Sequence, residues 1–147
     1  MREGIFRMHR KILIVDDEDA IREVTQVTLE TLSEWTVRTA RSGREGIRLA
    51  AADHPDAILL DVMMPDMDGP TTLQELASSP LTREIPVLFL TAKVQAADVR
   101  RLLGLGVKGV IAKPFDPLEL AGEVAQALGW EPEQRGIPER RLKWRES

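Results

Sequence analysis

The chain has 147 residues, 43% of them hydrophobic and 30% charged, with a net charge of −4 and no cysteine. This length suits one domain plus a tail, and the composition excludes a membrane-spanning protein, a disulfide scaffold and thiolate chemistry. The acidic excess argues against nucleic-acid binding, and the absence of a secretory signal in residues 1–10 predicts a cytoplasmic protein.

Short apolar runs alternate with amphipathic segments along the chain, in five pairs. The runs are aliphatic and most end in a polar side chain, which is typical of strands buried in a parallel sheet. The pattern predicts strands at residues 11–15, 35–40, 57–61, 86–91 and 109–112, each followed by a helix. Capping residues start the helices, with Ser42, Asp68 and Asp116 before the second, third and fifth. The first helix is expected to end near residue 33, the fourth to span 96–105 and the last to end at 128.

Five strand and helix pairs of this length predict an α/β three-layer sandwich. Its five-stranded parallel sheet is expected in the order 2-1-3-4-5, with the five helices on both faces. We expect an N-terminal extension at residues 1–9, the domain at 10–128 and a C-terminal tail at 129–147. The tail contains Trp130, Trp144 and a short basic stretch, which are expected to form an extension that is flexible or docked on the body.

Three carboxylates should meet where the carboxyl ends of the strands form a crevice. Asp16 and Asp17 follow the first strand and Asp61 ends the third, on either side of the switch in strand order. Carboxylates about 4 Å apart repel by roughly 4 kcal/mol per pair at an effective dielectric near 20, so the cluster calls for a proton or a cation. Acidic pairs after a strand most often serve only as helix caps, but Asp61 makes that interpretation insufficient here.

A hydroxyl and an ammonium group should reach the same crevice. Thr91 ends the fourth strand and Lys113 follows the fifth. Together with the carboxylates and a hard divalent cation such as Mg²⁺, they form a set suited to phosphoryl transfer, with an aspartate as the nucleophile.

The chain resembles the receiver domains of two-component response regulators, and its length is similar to that of the single-domain chemotaxis type. The resemblance covers about residues 10–128 and depends on four motifs at successive strand ends. These are Asp16-Asp17, the segment from Asp61 to Gly69, Thr91-Ala92 and Lys113-Pro114-Phe115.

The resemblance implies a flavodoxin-like fold and a role for each motif residue. Asp61 would accept a phosphoryl group from a histidine kinase or a phosphotransfer protein. Asp17, Asp61 and the backbone carbonyl of Met63 would bind Mg²⁺, with Asp16 acting through water. Lys113 would neutralise the phosphoryl oxygens, Thr91 would move to hydrogen-bond one of them, and the Lys113-Pro114 bond would be cis.

The resemblance also implies a signalling module, which promotes only its own phosphorylation and dephosphorylation, rather than an enzyme. Its output partner would bind the face formed by the fourth helix, fifth strand and fifth helix. Val110 occupies a switch position that is usually aromatic in the family, so we expect a smaller or differently placed change at that face.

Two alternative functions stay open. One is a receiver-like scaffold that works without phosphorylation, although the acidic pocket and Lys113 argue against it. The other is a Mg²⁺-dependent phosphohydrolase with an aspartate nucleophile, of the haloacid dehalogenase type. That family has a second aspartate two residues after the nucleophile, where this chain has Met63.

Overall fold

A computed structural model describes residues 9–130. The elements alternate strictly between strand and helix, as the sequence pattern predicts. The strands are β1 (Lys11–Val15), β2 (Thr36–Ala40), β3 (Ala57–Asp61), β4 (Val87–Thr91) and β5 (Gly109–Ala112). The helices are α1 (Asp19–Leu32), α2 (Gly43–Asp53), α3 (Gly69–Ala77), α4 (Ala96–Leu103) and α5 (Pro117–Leu128).

All five strands are parallel and lie in the order β2-β1-β3-β4-β5, which confirms the predicted topology. The central strand β3 pairs with β1 on one side and β4 on the other, and all five of its residues are buried. Since the strands are parallel, their carboxyl ends share one edge of the sheet, and Asp61 ends β3 at that edge.

Helices cover both faces of the sheet and bury one apolar cluster on each. On the first face, Leu29 of α1 and Leu120 and Val124 of α5 pack against strand residues. On the second face, Ala50 of α2, Leu76 of α3 and Leu102 of α4 do the same. This arrangement is the predicted three-layer sandwich. Within residues 9–130, no helix is both long enough and apolar enough to cross a bilayer.

Side chains of α1 cover part of the outer edge of β2, at Val37. Gln26 donates a hydrogen bond to the carbonyl of Val37 (3.1 Å), and the carboxylate of Glu30 accepts one from the amide of Val37 (3.0 Å). These bonds satisfy backbone groups of an edge strand that would otherwise be open to pairing with another chain.

The predicted end of the fourth helix is wrong by two residues. The helix ends at Leu103, and Gly104 is its C-cap. The amides of Leu105 and Gly106 bond three residues back instead of four, and Gly106 has a φ of 101°, which glycine adopts without strain. The chain therefore turns towards β5 earlier than its apolar spacing indicates.

Candidate functional site

The site residues lie where four strands end. Asp61 and Thr91 are the last residues of β3 and β4, while Asp16 and Lys113 directly follow β1 and β5. Sheet-like backbone bonds hold the latter two in place. The amide of Asp16 donates to the carbonyl of Ala40 (3.1 Å), and the amide of Lys113 donates to the carbonyl of Thr91 (2.8 Å). The sheet thus positions the backbone of these four residues.

The three predicted carboxylates do come together. One carboxylate oxygen from each of Asp16, Asp17 and Asp61 lies within 4.8 Å of the others. Asp16 and Asp61 are buried, and Asp17 is exposed. The cluster therefore has a closed side, formed by the sheet, and an open side through which a cation or substrate can enter.

Lys113 lies inside this cluster with its side chain only 14% exposed. Its Nζ is 3.1 Å from Oδ2 of Asp16 and 3.5 Å from Oδ1 of Asp61. Burial disfavours the charged ammonium, but the hydrogen bond to Asp16 and the charges of Asp16 and Asp61 outweigh it. The pKa of Lys113 consequently lies above its ordinary value, and the side chain stays charged.

The environment of Asp61 makes its carboxylate unusually basic. The pKa of Asp61 is raised from 3.8 to about 7, chiefly by burial and next by the negative charge of Asp16. Lys113 and the Met63 amide, which lies 3.4 Å from Oδ1, act in the opposite direction. The ammonium of Lys113 alone thus does not offset the cost of ionising Asp61. A second cation bound at the site would lower the free energy of the ionised form.

Besides the backbone bond to Ala40, Asp16 is fixed by bonds to three further residues. Its Oδ1 accepts a hydrogen bond from the Glu18 amide (2.9 Å), and its Oδ2 accepts one from Lys113. Its backbone carbonyl accepts a bond from Arg22 of α1 (2.7 Å), whose guanidinium also pairs with Asp19. Both carboxylate oxygens of Asp16 therefore already have partners.

Thr91 and Val110 have different surroundings. Thr91 is buried, and its hydroxyl oxygen accepts a hydrogen bond from the Lys93 amide (3.0 Å) in the loop that leads to α4. Val110 lies opposite Phe89 of β4 and packs, half-buried, against the apolar cluster on the α2, α3 and α4 face. The Lys113-Pro114 bond is cis, as the resemblance implies.

Two residues of the site were missed by the sequence reasoning. Glu18 places its Oε1 3.3 Å from Nζ of Lys113, and Arg22 holds the backbone of Asp16. Four acidic residues follow β1 in succession, and nothing in their order shows which of them faces a lysine that is 95 residues away.

The fold and site define a receiver-type α/β domain, with an acidic cluster and a lysine at the carboxyl edge of a five-stranded sheet. The family described as the response regulator receiver domain matches residues 12–125. The chain belongs to this family.

Individual relatives agree with this assignment. The chain is 40% identical over 121 residues to the alkaline phosphatase synthesis transcriptional regulatory protein PhoP of Bacillus subtilis, covering 82% of this chain and 49% of PhoP. It is 40% identical over 117 residues to the response regulator PleD of Caulobacter vibrioides, covering 80% of this chain and 26% of PleD. The chain thus spans about half, or less, of the length of these curated relatives.

Solved structures show the same fold. The chemotaxis protein CheY4 of Vibrio cholerae superposes with a TM-score of 0.75 at 29% identity, covering 81% of this chain and 98% of that chain. The N-terminal domain of a response regulator receiver protein from Methanoculleus marisnigri has a TM-score of 0.66 at 36% identity, covering 83% of this chain and 98% of that chain.

Proposed function

We propose that Asp61 accepts a phosphoryl group from a histidine kinase or a phosphotransfer protein in a Mg²⁺-dependent reaction. The observation that carries this proposal is the cluster of three carboxylates with Lys113 3.5 Å from Asp61. Such a chain would act as a phosphoacceptor module in the cytoplasm, without turnover of an external substrate. Its acidic excess argues against nucleic-acid contact by these residues.

The residues present fit a hard divalent cation. Oxygen is the only type of donor in the cluster, and burial together with the charge of Asp16 raises the pKa of Asp61, so a bound cation would stabilise its ionised form. Asp17, Asp61 and the carbonyl of Met63 would hold Mg²⁺. Asp16 would contribute through water, in keeping with carboxylate oxygens that already have partners. When bound, Mg²⁺ neutralises charge on the transferred phosphoryl group.

The transfer itself needs one bond to form and one to break. An ionised oxygen of Asp61 attacks phosphorus, the bond from phosphorus to the donor's histidine nitrogen breaks, and its electron pair stays on that nitrogen. Lys113 would neutralise negative charge on the phosphoryl oxygens, since its ammonium lies 3.5 Å from Oδ1 of Asp61 and can approach a group attached there. The hydroxyl of Thr91 accepts a bond from Lys93, which leaves its own proton available for a phosphoryl oxygen.

Thr91 offers a route from the site to the surface. Movement of its hydroxyl towards Asp61 would pull on the Lys93 amide, and so on the loop that leads into α4. We propose that this movement switches partner binding at the face formed by α4, β5 and α5. Val110 of β5 is half-buried and lacks a ring, so we expect the change at β5 to be small.

Intact mass spectrometry after treatment with acetyl phosphate and Mg²⁺ tests the proposal. The wild-type chain should gain one phosphoryl group, and Asp61→Asn should gain none. Asp66→Asn is the matched control, because Asp66 is an exposed aspartate with a φ of 68° that asparagine also adopts. An unmodified wild-type chain, or labelling that persists in Asp61→Asn, would contradict the proposal.

A further experiment addresses the partner. Pull-down with beryllofluoride, which mimics the phosphoryl group, should recover a protein that the untreated chain does not bind. Equal recovery in both states would favour the scaffold that works without phosphorylation.

A further inference from the structure

Three carboxylates share the ammonium group of Lys113, and Asp61 is the most distant of them. The distances from Nζ are 3.1 Å to Asp16, 3.3 Å to Glu18 and 3.5 Å to Asp61. The ammonium of Lys113 therefore lies closer to the segment between β1 and α1 than to the Asp61 oxygen that would react.

Glu18 differs from the other two carboxylates in its exposure. Its side chain is 60% exposed, whereas those of Asp16 and Asp61 are 0% and 5% exposed. Asp16 is also fixed through its second oxygen by the amide of Glu18. Of these three carboxylates, only that of Glu18 can separate from Lys113 and be solvated by water instead. Separation of either of the other two would leave a buried charge unpaired.

We propose that Glu18 is a positioning residue that draws Lys113 away from Asp61 and thereby slows phosphorylation. This inference rests on the proposed function of Asp61. A phosphoryl group brings nearly two negative charges to Asp61, and Lys113 must move towards them. The interaction with Glu18 opposes that movement, so its removal speeds the transfer.

The Glu18 side chain can be changed without disturbing the rest of the site. The bond that it makes to Asp16 comes from its backbone amide, which every variant except proline retains. Its side chain also makes no capping bond at the start of α1. A change of rate in Glu18→Gln would therefore report the ion pair with Lys113 and leave the helix cap unchanged.

The first experiment compares phosphorylation rates by intact mass with acetyl phosphate and saturating Mg²⁺. An ion pair with one exposed partner is expected to change the rate about two- to fivefold, so Glu18→Gln should react faster than wild type by that factor. Glu23→Gln is the matched control, since it removes the same charge from an exposed position of α1. Equal rates in the two variants would overturn the proposal.

A double-mutant cycle separates an effect through Lys113 from a general effect of charge. In a Lys113→Met background, Glu18→Gln should leave the remaining rate unchanged, because the residue through which it acts is absent. An acceleration that persists without Lys113 would contradict the positioning role.

A second readout does not depend on phosphorylation. In the protein without metal, the NMR signal of the Lys113 side-chain nitrogen, assigned by its loss in Lys113→Met, should shift in Glu18→Gln and stay in place in Glu23→Gln. An unchanged signal in both variants would overturn the ion pair itself. A wild-type chain that is not phosphorylated would overturn both the proposed function and the effect of Glu18 on the rate. The NMR signal of Lys113 would still show whether Glu18 and Lys113 form an ion pair.

Discussion

A buried charge at Asp61 is costly to the folded protein when no metal is bound. The pKa of Asp61 is raised from 3.8 to about 7. At a pH between these two values, Asp61 is protonated in the folded state and ionised in the unfolded state. The contribution of Asp61 to stability therefore rises as pH falls from about 7 to about 4, and above pH 7 the ionised carboxylate destabilises the fold.

Asp61→Asn should accordingly stabilise the metal-free protein at pH 8 and have little effect at pH 4. At about 1.4 kcal/mol per pKa unit, we expect a gain of about 2–4 kcal/mol in the free energy of unfolding at pH 8. Urea denaturation in the presence of a chelator measures it at both pH values. A gain of equal size at both would show that burial of charge is not its cause.

Two buried threonines provide a second comparison at the level of single residues. The hydroxyl of Thr25 in α1 is fully buried and has no hydrogen-bond partner among the described residues, whereas that of Thr72 in α3 donates to the carbonyl of Asp68 (2.8 Å). Thr25→Val should raise the free energy of unfolding by about 1 kcal/mol, because it removes an unpaired polar group without a change of shape. Thr72→Val should lower it by a similar amount. Thermal denaturation of both variants tests the opposite signs.

At the scale of elements, the start of α3 is packed against the strand that carries Asp61. A Cβ atom on Gly69 would lie 2.6 Å from the carbonyl oxygen of Asp61 and 2.8 Å from Cα of Val62, and both of these are backbone atoms. The amide of Gly69 also donates to the carbonyl of Val62 (2.9 Å). Glycine is thus required at position 69 because the backbone of β3 and the following residue lies too close for a Cβ atom. Its φ is one that any residue can adopt.

Gly69→Ala should therefore both destabilise the fold and displace Asp61. We expect a loss of about 1–3 kcal/mol in the free energy of unfolding, together with slower phosphorylation. Gly122→Ala in α5 is the control, because a Cβ there meets nothing within 4 Å and should stabilise the helix by about 0.5–1 kcal/mol. Denaturant titrations of the two variants check the opposite signs, and a neutral Gly69→Ala would contradict the packing argument.

Across the whole molecule, the sequence predicts the sheet order and the main site residues for a physical reason. Buried parallel strands are short and apolar, so a polar residue such as Asp61, Thr91 or Lys113 at a strand end is conspicuous and its place in the fold follows from topology. A contact made by an exposed side chain, such as that of Glu18, leaves no such pattern in the sequence. The pairing of Lys113 with Glu18 depends on distances that only the assembled sheet sets.

The packing of Trp130 is another contact that the sequence leaves open, because the predicted tail could be either flexible or docked on the body. In the structure, its ring meets that of Trp35 edge to face, with centroids 5.5 Å apart, and the guanidinium of Arg10 lies 4.1 Å from its centroid. The amide of Thr36, the first residue of β2, also donates to the carbonyl of Arg10 (2.8 Å). Trp130, in the predicted tail, thus packs on the body where β1 and β2 begin, while Trp144 lies outside the described residues.

Trp130→Ala should destabilise the domain without changing the chemistry of the site. The loss of one aromatic pair and one cation–π contact predicts a decrease of about 2 kcal/mol in the free energy of unfolding, measured by urea denaturation. The phosphorylation rate should stay at the wild-type value, because these rings lie at the amino ends of the strands and Asp61 lies at the carboxyl ends. Leu118→Ala, at a residue that is 62% exposed, controls for the simple loss of apolar surface and should cost under about 0.5 kcal/mol. An equal loss of stability in the two variants would show that Trp130 contributes nothing specific to the fold.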